Sequence, residues 1–65
     1  MASYKTLYAR MTRALREWPE VWKNENFPGT KYTYWDVAVL FQKTKSRKKL
    51  RPFLEAAVRN GFIRG

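Results

Sequence analysis

Lys43, Lys45, Arg47, Lys48, Lys49 and Arg51 place six positive charges within the ten residues of the stretch KTKSRKKLRP, with no carboxylate among them. The chemistry open to such a run is electrostatic. Phosphate backbones present regularly spaced negative charge, and cations that neutralise them release condensed counterions. Like charges held this close repel one another at a cost to the fold, which an anionic partner offsets. No acid interrupts the sequence between Asp36 and Glu55, and Arg59 adds a further cation downstream. Such side chains supply phosphate affinity more than base readout. The whole chain leans the same way: 14 Lys and Arg against 5 Asp and Glu give a net charge of +9 over 65 residues. Such an excess points to a phosphate-rich partner, nucleic acid or an anionic membrane surface, and the expected one is nucleic acid, either DNA or a structured RNA such as ribosomal RNA. The plainer reading of the run is a solvated basic loop or a nuclear localisation signal.

Other chemistries find little to work with. The chain has no Cys and no His, so it lacks the commonest general base, the strongest side-chain nucleophile and the usual zinc ligands. Its carboxylates are scattered, Ser3 and Ser46 have no activating base nearby in sequence, and its glycines lie too far apart to form a phosphate-binding loop. The expectation is a protein that is not an enzyme and carries neither metal nor cofactor. The lack of Cys fits a reducing, intracellular compartment. No stretch approaches the roughly 20 apolar residues of a membrane span.

The elements that must position the basic run follow from periodicity. Tyr4, Leu7, Tyr8, Met11, Leu15 and Trp18 fall on one stripe of a helix that Pro19 ends or kinks. Residues 20–30 read as a connection, with Pro28-Gly29 as its turn signal and a short helical turn after Pro19. Residues 32–41 carry both strand and helix signals. Thr33 and Asp36 at capping-box spacing, with Tyr34, Val37, Ala38 and Phe41 on one face, decide for a helix from Tyr34 to Lys43. Trp35, Val39 and Leu40 fall off that face, so this helix needs cover on a second side. A third helix is expected from near Arg51, because Pro52 is awkward inside a helix, and it should stop at Asn60-Gly61 with Phe62 folding back. The sum is one all-α domain over residues 1–65, a small three-helix bundle. Its expected core is Leu7, Met11, Leu15, Trp18, Val37, Phe41, Leu50, Phe53, Leu54 and Phe62. The basic run then lies where a helical pair changes direction, the part of a helix-turn-helix that meets DNA. Leu50 and Leu54, with Ser46 before them and GFI after, resemble the last helix of a winged-helix domain without its wing.

Two further features concern partners. Trp18, Trp22, Phe27, Tyr32, Tyr34 and Trp35 flank the central turn. Rings of this kind stack bases where exposed, although packing in the core or at a subunit interface is the stronger expectation in so short a chain. The opening MASYKTLYARMTRALR is amphipathic, rich in Arg and hydroxyl residues and free of acid, which is the composition of a mitochondrial transit peptide. An uncleaved helix is preferred, because cleavage would remove the best helix in the chain. TLYARMTRALREWP resembles the opening of small mitochondrial LYR-motif proteins. Leu7 and Tyr8 match, Arg10 stands one place late, and Arg13 and Arg16 continue the basic face. Tyr8, Arg10, Glu17, Trp18 and Pro19 are also similar to the start of a mitochondrial complex III assembly factor. The resemblance implies a three-helix mitochondrial adaptor, assembly factor or small subunit docking on a larger complex, with Phe41 as the family's later phenylalanine. The partner-binding residues on this second reading are Leu7, Tyr8, Arg10, Arg13 and Trp35. The two readings meet in a mitochondrial ribonucleoprotein.

Overall fold

Most helix ends fall where the local chemistry supplies a start or a stop. The structure, a computed structural model describing residues 2–65, has α1 at Tyr4–Arg16, α2 at Tyr34–Lys43 and α3 at Arg47–Arg59. Ser3 caps α1, its hydroxyl accepting from the Thr6 N–H. The helix ends two residues before the expected Trp18, because Pro19 disfavours helical backbone at the residue preceding it. One turn of 3-10 helix follows at Glu20–Trp22. α2 has the expected bounds and a complete capping box: Thr33 Oγ1 accepts from the Asp36 N–H, and Asp36 Oδ2 accepts from the Thr33 N–H, both at 3.3 Å. Helix therefore prevails over strand here. α3 ends in a paired turn at Gly61 (φ +75°), where the Phe62 N–H donates to the Ala57 carbonyl at 2.8 Å and the Gly61 N–H to Val58 at 3.1 Å. Phe62 folds back as expected.

The start of α3 corrects the sequence reading. The helix begins at Arg47, not near Arg51, and Pro52 lies inside it. Pro52 cannot donate to the Lys48 carbonyl, and its ring crowds that group. Burial offsets this penalty: Leu50, in the same stretch of helix, is fully buried in the core. Such a side chain contributes about 1.5–3 kcal/mol, comparable to what the proline costs.

The core contains Leu7, Met11, Leu15, Val37, Phe41, Leu50 and Leu54 as expected. Trp18, Phe53 and Phe62 are half-buried against it, while Phe27, Tyr34, Ala56, Ala57 and Ile63 join it. Two tyrosines fix the pairing of α1 with α2. Tyr34, at the start of α2, donates its hydroxyl to the Leu15 carbonyl at 2.6 Å, and Tyr8 donates to the Phe41 carbonyl at 2.8 Å. Each satisfies a last-turn carbonyl of the other helix, so the two run antiparallel. Trp18, Phe27, Tyr34 and Phe62 pack together at one end, with Trp18–Phe62 and Phe27–Phe62 centroids 4.7 and 4.9 Å apart. The connection 44–46 lies at the other end. No helix among the described residues is long and apolar enough to cross a membrane.

Candidate nucleic-acid interface

Three residues, Thr44 to Ser46, join α2 to α3, and the basic run spans this corner. Lys43 closes α2, where a cation suits the negative end of the helix dipole. Lys45 sits in the turn. Arg47, Lys48, Lys49 and Arg51 occupy the opening turns of α3, where the dipole is positive and cations are unfavourable. That first turn contains no acid, and the Ser46 side chain makes no capping bond. The first N–H groups of α3 thus have no side-chain acceptor at the end most crowded with positive charge.

All six side chains of the run are exposed. Among the described residues, Lys43, Lys45, Lys48 and Lys49 have no carboxylate within ion-pair distance. Arg51 pairs with Glu55 at 3.5 Å, an exposed contact of little strength. Arg47 places its guanidinium carbon 4.6 Å from the Tyr4 ring centroid, which brings the start of α1 beside the start of α3. The first turn of α1 also lacks an acid, and it adds Lys5 to the same end. Neither Lys5 nor the Tyr4 contact is apparent in the sequence, because both depend on how α1 packs against α3.

Arg59 does not join this group. It lies about 12 Å farther along the helix axis than Arg51, in the last turn, where a cation complements the dipole. The residues expected to meet a protein partner are also dispersed. Leu7 is buried in the core, so its side chain is closed to a partner in this structure. Tyr8 is half-buried and bonded to Phe41, whose ring lies 5.3 Å away, so this pair serves the bundle. Arg10 is exposed and donates to the Arg64 carbonyl at 3.1 Å, and Arg13 pairs with Glu17 at 3.2 Å. Trp35 is 48% exposed, with Lys23 Nζ 5.5 Å from its ring. The hydrogen bond and charge of Glu20, 2.7 Å away, raise the Lys23 ammonium above its ordinary value.

The six aromatics around the central turn divide evenly. Phe27 and Tyr34 are buried and Trp18 is half-buried, while Trp22, Tyr32 and Trp35 remain exposed. No family model matches the chain, and neither does any curated protein or solved structure compared with it.

Proposed function

We propose that this chain is a non-catalytic nucleic-acid-binding module that contacts phosphates through the α2–α3 corner. The observation that carries the reading is the placement of Arg47, Lys48 and Lys49. They crowd a helix N-terminus that has no acid in its first turn and no side-chain cap. A phosphate there would meet exposed cations together with the first N–H groups of the helix, ahead of Lys49, whose N–H donates to the Ser46 carbonyl at 3.1 Å. The lengths of α2, the three-residue turn and α3 also suit a helix-turn-helix, whose second helix presents its N-terminal residues to the ligand.

The test is fluorescence anisotropy with labelled duplex DNA and a structured RNA across a salt series. Six phosphate contacts give a slope of about −5 in log affinity against log salt on duplex DNA. Changing Arg47, Lys48 and Lys49 together to Gln should weaken binding to every sequence and flatten that slope by about 3. Gln is a good helix former, so the fold should persist. Binding unchanged in the triple variant removes the corner from the mechanism.

Exposed Trp35, Trp22 and Val21 favour a second reading, in which the chain docks on a larger protein assembly, mitochondrial by its amino-terminal resemblance. Changing Trp35 to Ala would then abolish capture of that assembly and leave nucleic-acid affinity unaltered.

A further inference from the structure

Beside the basic corner, α2 and α3 leave an open groove. Val39 and Leu40 from α2 and Pro52 and Phe53 from α3 form its apolar lining, and Tyr32 stands at one end. Lys48 and Lys49 border it. Tyr32 is 44% exposed, and its ring meets Phe53 edge-on with centroids 5.5 Å apart. Its backbone is held on both sides: the Phe27 N–H donates to the Tyr32 carbonyl at 2.6 Å, and the Tyr32 N–H donates to Thr30 Oγ1 at 3.2 Å. The ring thus stands on an anchored backbone, with Phe53 against one side and the rest open. Asp36 also borders the groove, but its carboxylate is engaged by the Thr33 N–H and hydroxyl.

We propose that this groove takes an unpaired base, which makes single-stranded or looped nucleic acid the preferred ligand of the corner. The inference rests on the phosphate-binding reading above and narrows it. A duplex turns its sugar-phosphate ridge outward, and pressing that ridge onto Val39, Pro52 and Phe53 would strip water from phosphates and return no hydrogen bonds. An unpaired base offers a flat π-face and apolar area to the same surface, while its flanking phosphates reach Lys48 and Lys49. Charge complementarity at the rim and an aromatic platform are the two features that single-strand binders combine.

The test separates stacking from charge. A duplex carries the higher charge density, so electrostatics alone makes it the tighter ligand. The probes are a labelled oligothymidylate of about twelve nucleotides and a duplex of equal length. The single strand is expected to bind more tightly than the duplex. Tyr32→Leu, which keeps the apolar contact with Phe53 but removes the platform, should weaken the single strand by about 5- to 150-fold and leave the duplex unchanged. Tyr32→Phe should restore wild-type preference. If the duplex binds at least as tightly and Tyr32→Leu changes neither ligand, the groove is not a base site and only the phosphate reading stands. Binding of neither probe beyond a scrambled peptide of equal charge overturns both. Capture of an acidic amphipathic peptide by this groove, sensitive to Tyr32→Leu, with no binding of the single strand, assigns the groove to a protein partner and overturns the inference.

Discussion

The Tyr34 hydroxyl, buried against α1, carries out two tasks with one oxygen. Its ring belongs to the core and lies 6.2 Å from Trp18, nearly parallel to it, while its O–H satisfies the Leu15 carbonyl in the last turn of α1. Removing the oxygen leaves that carbonyl with only the longer bond from the Trp18 N–H, at 3.3 Å. Tyr34→Phe should therefore cost about 0.5–1.5 kcal/mol, or roughly 2–12 °C in melting temperature for a domain of this size. Tyr8→Phe makes the useful comparison, because Tyr8 is only half-buried and water can replace the lost donor at the Phe41 carbonyl. Its cost should be the smaller of the two in parallel thermal melts, and the reverse order would contradict the assigned burial. Neither bond was legible in the sequence, since they join residues 19 and 33 positions apart. The same holds for Arg47 on Tyr4 and for Tyr32 on Phe53: sequence spacing groups the aromatics but not which rings end up facing water.

At the level of the helix, α3 is at odds with its own charges. A helix gains from acids in its first turn and from cations in its last, each worth about 0.3–1 kcal/mol. α3 has Arg59 correctly placed but opens with Arg47, Lys48 and Lys49. If these cations serve binding at the expense of the fold, reversing their charge should separate the two properties. Lys48→Glu and Lys49→Glu should each raise stability by about 0.3–1 kcal/mol while sharply weakening nucleic-acid affinity. Denaturant melts of both variants, run beside the anisotropy assay, check this. A loss of stability would mean that the lysine stems hold α3 in place. The same helix shows where local signals stop being sufficient. The Thr33–Asp36 box and the Asn60-Gly61 stop were legible because their chemistry is complete within a few residues. The start of α3 was not. Pro52 carries a strong local penalty, and the burial of Leu50 that offsets it exists only once α1 and α2 are in place.

For the molecule as a whole, the net charge of +9 acts over dimensions of 30 × 23 × 19 Å. The screening length is about 30 Å at 0.01 M salt and about 8 Å at 0.15 M. At the lower concentration every cation senses every other across the whole bundle, and at the higher one only near neighbours interact. Salt should therefore stabilise the free protein, with the melting temperature rising steadily between these conditions as self-repulsion is screened. Complex formation should respond in the opposite direction, losing about a thousandfold in affinity between 0.05 and 0.2 M if six phosphates are engaged. Bound oligonucleotide stabilises the fold by mass action, so the melting curves with and without it should lie far apart at low salt and converge as salt increases. Differential scanning fluorimetry over that range, at fixed oligonucleotide concentration, follows both effects in one series. A melting temperature that falls with salt in the free protein would mean that attractive pairs such as Arg13–Glu17 and Lys23–Glu20 outweigh the repulsion. The excess charge would then need no anionic partner to offset it. Two curves that stay parallel at every salt concentration would show that the oligonucleotide does not reach the charged corner at all.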